Sequence, residues 1–148
     1  MKYNMKQEEK ELLLIDMCSR LPYNFQILCG QNTYKCIGIL QQINDDGDWE
    51  WRLDTDCTTP IPFHCCKPYL FPLTEEILDK ATEESISLYK ELITSDSDLY
   101  KENNKPNTLQ LQAQIRSSVI KYFIIHHIDY NGLIEKNLAI DATGLNIY

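Results

Sequence analysis

Residues 48–54, DWEWRLD, alternate large apolar side chains with charged ones. Every second position is apolar, and charged residues occupy the positions between: Trp49, Trp51 and Leu53 against Glu50, Arg52 and Asp54. A period of two residues is typical of a half-buried β-strand, because successive side chains of a strand point to opposite faces. The overlapping segment NDDGD, 44–48, contains the Asp-Gly pair that favours a tight hairpin turn. The stretch therefore predicts a hairpin strand with one apolar face.

The same alternation continues on both sides of this strand. Apolar residues alternate with polar ones in YNFQILCG, TYKCIGILQQIN and PIPFHCC, which are residues 23–30, 33–44 and 60–66. Four short antiparallel strands cannot cover an apolar face by themselves, so they need closure into a small barrel or a helix laid across that face. We therefore predict a strongly bent, SH3-like sheet or barrel of four to five strands.

Helical patterns flank this β-rich region. An apolar stripe predicts a first helix over 5–20, capped by Asn4 and packed on the sheet, and Pro22 ends it. Pro68 and Pro72 argue against a regular central strand in the joint that follows the sheet. Thr74 is suited to cap a second helix that reaches about residue 93, an exposed loop covers 94–107, and a third helix starts near Thr108.

The fold class that these patterns predict is α+β. We expect a helix plus a small β-barrel-like lobe over 1–72 and a helical lobe over 73–148, together forming one compact unit. The segment HIDYNGLIEKNLAID, 127–141, is interpreted as a structural corner in which Gly132 takes a left-handed conformation and ends the third helix. The last residues, TGLNIY, are expected to fray.

Composition and charge exclude several classes of protein. The formal net charge is −8, which opposes binding to nucleic acid, and Arg116 and Lys121 alone give the third helix a poor electrostatic footprint. The longest apolar run is too short and too polar to cross a bilayer, so no membrane partner is expected. The N-terminal segment lacks the basic start and cleavage site of a secretory signal, so we expect a cytoplasmic protein.

Six cysteines raise the question of disulfides or metal. The C-x2-C spacing of structural zinc sites is absent, and only Cys57, His64 and Cys66 could form a partial site. Reduced thiols that pack as small hydrophobic side chains are the default interpretation in a cytoplasmic chain. We therefore predict no metal and no cofactor.

Three segments together resemble a known group of proteins: RLPYNFQI, CCKPYLFPL and HHIDYNGLIEKNLAID. They are similar to segments of a family of small uncharacterised proteins found in gut bacteria, prophages and phages, with the pattern LPY…KPYLxPL…HxDYxGLIxxxLA. At two of the open positions of this pattern the resemblance implies Arg and Gly, whereas the chain has Asn131 and Asn137. The resemblance implies a phage or mobile-element accessory protein expressed inside a bacterial cell, and it carries over no catalytic residue.

The leading functional hypothesis is a non-enzymatic module that binds a host or phage protein, since the chain is acidic and rich in tyrosine. Its candidate contact residues are Trp49, Trp51, Tyr69 and Tyr130. One alternative is a protein that binds a small nucleotide signal, with phosphate contacts from Arg52 and Lys67 and also from Arg20 and Lys35. Another is an enzyme that depends on Cys66 or His64, with Asp56 as a further candidate. Self-association into a homo-oligomer stays open.

Overall fold

The computed structural model describes residues 5–56, 59–94 and 108–148, without the side chains of residues 89–94 and 108. Three sequence predictions therefore lie outside the described residues. They are the helix cap at Asn4, the partial metal ligand Cys57 and the loop after residue 94.

The N-terminal helix, α1, spans Gln7–Arg20. Leu13 and Met17, one helical turn apart, are fully buried and form the stripe that the sequence predicted. The first turn is closed by the Glu9 carboxylate, which accepts a hydrogen bond of 2.9 Å from the backbone N–H of Lys6. A 3-10 turn over Leu21–Tyr23 contains Pro22 and ends the helix, as expected.

A sheet of seven strands follows. The strands are β1 (Gln26–Cys29), β2 (Asn32–Ile43), β3 (Trp49–Thr55), β4 (Ile61–Pro62), β5 (Cys66–Pro72), β6 (Ile128–Asp129) and β7 (Ile140–Asp141). The order β4-β3-β2-β1-β5 is antiparallel throughout, whereas β6 and β7 both pair with β5 in parallel. The predicted mixed α+β fold, with an N-terminal helix, a sheet and then helices, is confirmed at this level.

Strand β5 is central to the sheet, so the prediction that its prolines exclude such a strand is wrong. It pairs with β1, β6 and β7, and neither proline removes a hydrogen bond to β1. Pro68 faces Ile27 of β1 and ends that ladder, while Pro72 is the last residue of the strand. The Cys36 N–H donates to the Phe25 carbonyl at 3.1 Å, so the backbone groups of Phe25 point to β2. Backbone direction repeats every second residue of a strand, so those of Ile27 also point to β2. Pro68 therefore sits in a non-hydrogen-bonded pair, where its missing N–H leaves nothing unsatisfied.

The chain divides into two compact units, one of residues 1–72 with 127–148 and one of residues 73–126. The sequence had assigned 127–148 to the helical lobe, but β6 and β7 pair with β5 and so belong with the sheet. The helical unit contains α2 (Glu75–Thr94) and α3 (Thr108–Ile125), which contact each other. Thr74 caps α2, since its hydroxyl oxygen accepts a 3.2 Å bond from the N–H of Ile77.

The segment after α3 is the structural corner that the sequence predicted, although its parts differ. The helix ends at Ile125, and His127, with φ of 58°, takes the left-handed conformation near that end. Gly132 is also left-handed, at 70°, but it lies in a second turn rather than at the helix end. That second turn is held by the buried Asp129, whose carboxylate oxygens each accept a 2.9 Å bond, from the N–H groups of Leu133 and Ile134. A residue other than glycine could end the helix because the pairing of β6 fixes the chain direction there.

The core of the sheet unit includes a buried ion pair. Asp16 and Arg20 of α1 are both 0% exposed, and their side chains are joined by bonds of 2.7 and 3.0 Å. Arg20 also donates to the Ile128 carbonyl at 2.8 Å, and Asn131 donates to Asp16 at 2.9 Å. This cluster ties the end of α1 to the corner. A fixed charge pair in the core needs such hydrogen bonds to offset its loss of hydration.

Tyr148 completes the β1–β5 seam, so the prediction that the last residues fray is wrong for this side chain. Its hydroxyl accepts from the Gln26 N–H and donates to the Tyr69 carbonyl, each at 2.9 Å. Gln26 and Tyr69 are the next pair in the register after Ile27 and Pro68, so the phenol replaces a direct backbone bond. The Tyr148 ring stacks on His127, with centroids 3.7 Å apart.

Candidate functional site

A groove of about 340 Å³ opens in the sheet unit between α1 and β3. We call it the tryptophan groove. Its lining comes from one stripe of α1, from the first half of β3 and from the 3-10 turn before β5: Gln7, Lys10, Glu11 and Leu14; Trp49, Glu50 and Trp51; Phe63 and His64. The helix residues follow the i, i+3, i+4, i+7 spacing that places side chains on a single helical face. The groove is therefore built by three elements that are far apart in sequence.

The two tryptophans share a face of β3 with a core residue, but they lie outside the core. Leu53 is 0% exposed, whereas Trp51 is 36% exposed and Trp49 is 68% exposed. Ile43, the cross-strand partner of Trp49, is exposed as well. The alternation therefore predicted the strand correctly, but packing covers the face of Trp49, Trp51 and Leu53 only at the Leu53 end, and Glu50 and Arg52 between them are half-buried. Large apolar side chains left in solvent together are typical of contact surfaces rather than of packing.

The edge of β3 is open beside the tryptophans. Strand β4 pairs only with Arg52 and Leu53, after which the chain turns away at Phe63. The Asn44 N–H donates to the Asp48 carbonyl at 2.8 Å, so the backbone groups of Asp48 point toward β2. Backbone direction alternates along a strand, so those of Glu50, two residues on, also point toward β2. The backbone N–H and C=O groups of Trp49 consequently point to the uncovered edge, whereas Trp51 lies next to the Arg52–Pro62 pair and its backbone faces Phe63. An extended segment could hydrogen-bond there as an added strand.

The surroundings of the groove are mainly acidic. Glu11 and Glu50 line it, and Lys10 and the exposed imidazole of His64 stand among them. The hairpin tip that leads into Trp49 adds the exposed carboxylates of Asp45, Asp46 and Asp48. The tip is rigidly folded, since the Asn44 side-chain oxygen accepts bonds from the N–H groups of Asp46 and Asp48, at 3.0 and 2.9 Å. A cationic partner is favoured by this distribution of charge.

Four further residues that the sequence nominated are not part of the groove. Tyr69 is buried, and its hydroxyl is 3.1 Å from that of Thr33. The ring of Tyr130 lies under Arg20, with 5.5 Å between the guanidinium carbon and the ring centroid. Arg52 bonds to Glu50 at 2.8 Å and to the Pro60 carbonyl at 3.1 Å. Lys67 bonds to the Asn137 side chain at 2.8 Å. The structure thus brings together only Trp49 and Trp51 of the nominated contact residues.

The cysteines divide into buried and exposed thiols. Cys36 and Cys66 are buried, Cys29 is half-buried, and Cys18 and Cys65 are exposed. Burial raises the pKa of the Cys36 thiol to about 12 and also raises that of Cys66, so both thiols stay protonated at neutral pH. Within the described ranges, no three His, Cys, Asp or Glu side chains are grouped so as to hold a metal ion.

The sequence reasoning missed the α1 side of the groove. None of Gln7, Lys10, Glu11 and Leu14 was nominated as a contact residue from the sequence. Their helical spacing was visible in the sequence, but nothing local indicated that this face lies beside β3. Only the tertiary packing of α1 shows that the stripe and the tryptophans border the same space.

The helical unit has clefts of its own. One of about 370 Å³ is lined mainly by apolar side chains of α2 and α3: Leu78, Thr82, Ile115, Arg116, Val119 and Ile120. It lacks both the aromatic side chains and the open strand edge of the tryptophan groove. The groove is therefore the better candidate for a binding site.

Comparison of the chain with protein-family models, with curated proteins and with solved structures gives no match. Across the described residues, no helix has the length and apolar character needed to cross a membrane.

Proposed function

We propose that this protein is a non-enzymatic protein-binding module whose contact surface is the tryptophan groove. The observation that carries the proposal is the exposure of Trp49 and Trp51 on one strand face, beside an open strand edge. Tryptophan is enriched among the residues that dominate binding energy at interfaces, because it offers a large rigid apolar area and a polar N–H. The charge around the groove favours a partner segment that carries Lys or Arg.

The partner segment binds in an extended conformation, by strand addition to the free edge of β3. Its backbone pairs with Trp49, beyond the end of β4, while its alternate side chains face the α1 stripe. A cationic side chain of the partner can reach Glu11 or Glu50, or lie over a tryptophan ring, where cation–π attraction contributes about 0.5–2 kcal/mol. Apolar side chains of the partner cover the exposed indoles.

The nucleotide-binding alternative has less support. Three of the four cations that it requires are already engaged inside the chain: Arg20 with Asp16, Arg52 with Glu50 and Lys67 with Asn137. Recruiting them to a phosphate would break these contacts. In the enzyme alternative, a role for Cys66 requires a reactive thiol, whereas burial keeps the Cys66 thiol protonated at neutral pH.

The finer features expected from the sequence form part of the same proposal. An SH3-like arrangement is supported by the antiparallel order β4-β3-β2-β1-β5 and by the 3-10 turn before the strand that returns to β1. The role of a phage or mobile-element accessory protein in the bacterial cytoplasm is supported by the resemblance of the LPY, KPYLFPL and HIDYNGLI segments. In that resemblance Asn137 replaces Gly, and its φ of 59° is one that asparagine tolerates better than most residues. The fold by itself does not assign the function.

Intrinsic fluorescence gives a direct test, because the two tryptophans of the groove are the only two in the chain. Random peptides without tryptophan are displayed and selected on the full-length protein, and the selected peptides are titrated into it. We expect the emission to shift to shorter wavelength on binding, as the indoles leave water. We also expect the enriched peptides to alternate apolar with basic residues.

Two variants separate the groove from nonspecific adhesion. Trp51→Ala should weaken binding of the selected peptides by at least roughly 30-fold, the equivalent of the 2 kcal/mol that defines a dominant contact. Ile15→Ala removes an apolar side chain of α1 that is 67% exposed but does not line the groove, and it should leave affinity unchanged. Equal affinity for Trp51→Ala and the parent protein, or failure to enrich any peptide, would refute the proposal. N-methylation of every second amide of the peptide tests strand addition. Only one of the two alternate sets of amides points toward β3, so methylation of that set alone should abolish binding.

A further inference from the structure

Two cysteines stand directly opposite each other where β1 meets β5. The register of this antiparallel pair places Cys29 across from Cys66, next to the Leu28–Lys67 pair. Both thiols are free in the structure. They come from segments far apart in sequence, so their approach is a product of the fold.

The type of pairing at this position brings the side chains close. The bond from Cys36 to the Phe25 carbonyl directs the backbone of Phe25 toward β2, and the two-residue alternation directs the backbone of Cys29 the same way. The backbone groups of Cys29 therefore point away from β5, and Cys29 and Cys66 form a non-hydrogen-bonded pair. Such pairs have Cα atoms about 4.5 Å apart, which lies within the range of about 4.4–6.8 Å that a disulfide spans. Tyr148, which bridges Gln26 and Tyr69 farther along the seam, fits the same alternation.

The two thiols differ in environment. Cys66 is 1% exposed, and its Sγ lies 3.7 Å from the Pro62 carbonyl oxygen, to which it donates. Burial raises the pKa of the Cys66 thiol, and the neighbouring Cys29 thiol, with which it forms a hydrogen bond, raises it further. Cys29 lies at the end of β1 before the turn at Gly30 and is only half-buried. A reagent from solution therefore meets Cys29 first.

We propose that Cys29 and Cys66 form a dithiol site that is oxidised to an intramolecular disulfide by low-molecular-weight disulfides such as oxidised glutathione. The Cys29 thiolate attacks one sulfur of oxidised glutathione, which forms a mixed disulfide and releases one glutathione thiolate. The Cys66 thiol then gives its proton to the released glutathione thiolate, and its sulfur attacks the Cys29 sulfur, which forms the Cys29–Cys66 bond and releases the second glutathione. The protein gives up two electrons to the reagent, and its two thiol protons pass to the two departing glutathiones.

The other described cysteines are less suited to join this pair. Cys65 ends the 3-10 turn and lies outside the β1–β5 register, and Cys18 belongs to α1. Cys36 is buried, and its Sγ lies 3.5 Å from the Gly38 carbonyl oxygen within β2. The register thus selects one pairing. The bond would fasten β1 to β5 at the end of the seam opposite the Tyr148 bridge.

The test uses the full chain in buffers of stepped ratio of reduced to oxidised glutathione, quenched with N-ethylmaleimide. We expect intact mass spectrometry to show the loss of two hydrogens, and a non-reducing digest to contain a peptide pair joined through Cys29 and Cys66. Cys65→Ser should give the same link. A mixed disulfide that stays on Cys29 at every ratio, or a link through Cys65 instead, would overturn the proposal.

Stability supplies a second readout that does not depend on mapping. A bond that closes the segment 29–66 should raise the Tm of the oxidised protein by roughly 10 °C over the reduced protein. Cys29→Ser, at the half-buried position, should retain the fold and show no change in Tm on oxidation. A fall in Tm of the parent protein as the link forms would contradict the geometry inferred from the register. Peptide binding at the tryptophan groove is measured separately, so failure of one proposal leaves the other open to its own test.

Discussion

Replacing Asp16 by Asn tests whether the buried ion pair fastens α1 to the C-terminal corner. The change keeps the shape of the side chain but removes the charge that faces Arg20. The Asp16 carboxylate accepts three bonds, of 2.7 and 3.0 Å from Arg20 and of 2.9 Å from Asn131. Both partners of the pair are fully buried, so water cannot replace the lost carboxylate. Breaking such a pair on one side typically lowers the free energy of unfolding by about 3–5 kcal/mol.

Urea unfolding at pH 7, followed by circular dichroism and tryptophan emission, measures this loss. A decrease of about 3–5 kcal/mol corresponds to a fall in the folding equilibrium constant of roughly a hundred- to several thousand-fold. Glu8→Gln, which removes an exposed carboxylate from the same helix, should change stability by less than about 0.5 kcal/mol.

A double variant distinguishes loss of the pair from general damage to α1. Asp16→Leu combined with Arg20→Met removes both charges, so it should be clearly more stable than Asp16→Asn alone. A loss below about 1 kcal/mol for Asp16→Asn, within the range of an ordinary neutral hydrogen bond, would refute the reasoning. It would mean that the guanidinium finds water or another acceptor when the carboxylate is absent.

Three further predictions concern the seam and the corner. Tyr148→Phe leaves the Gln26 N–H and the Tyr69 carbonyl without the hydroxyl that bridges them, and it should destabilise the protein by about 1–3 kcal/mol. Thermal melts measure this loss, and the control variant Tyr23→Phe should leave stability unchanged. Burial raises the pKa of Tyr148 to about 12, above the value of 10 for the unfolded chain, so the stability that its neutral hydroxyl contributes should be complete below pH 10 and lost as pH rises toward 12. Unfolding midpoints from pH 8 to 12 should therefore fall more steeply for the parent protein than for Tyr148→Phe. Gly132→Ala places a side chain at φ of 70° and should lower stability by roughly 1–2 kcal/mol in urea unfolding, although the added Cβ meets only the Lys136 Nζ, at 3.8 Å.

The candidate site could be anticipated from sequence only in part. The alternation in DWEWRLD indicated a strand and placed both tryptophans on the same face as Leu53, and that is how they lie. It could not indicate how far the core extends along that face, because coverage depends on neighbours that are remote in sequence. The α1 stripe and the early end of β4 decide that Leu53 is buried and Trp49 exposed.

The pairing of remote segments was likewise invisible in the local pattern. Prolines suggested that residues 66–72 could not lie inside a sheet, yet the register puts Pro68 where no donor is required. The two-residue strands β6 and β7 are too short to show a period, so the segment 127–148 was assigned to the helices. The contacts of Tyr148 also depend on strand pairing, because its hydroxyl fits between Gln26 and Tyr69, where it replaces a direct backbone bond between β1 and β5.

The sequence by itself determined the kinds of elements, since side-chain period and capping residues act over a few positions and fix helix or strand locally. It also determined the acidic charge and the spacing of the corner residues. Tertiary structure alone decided which strands meet, which aromatic side chains stay in solvent and which two thiols face each other. These outcomes depend on register and packing between segments tens of residues apart, where a shift of one position would turn every side chain of a strand to the other face.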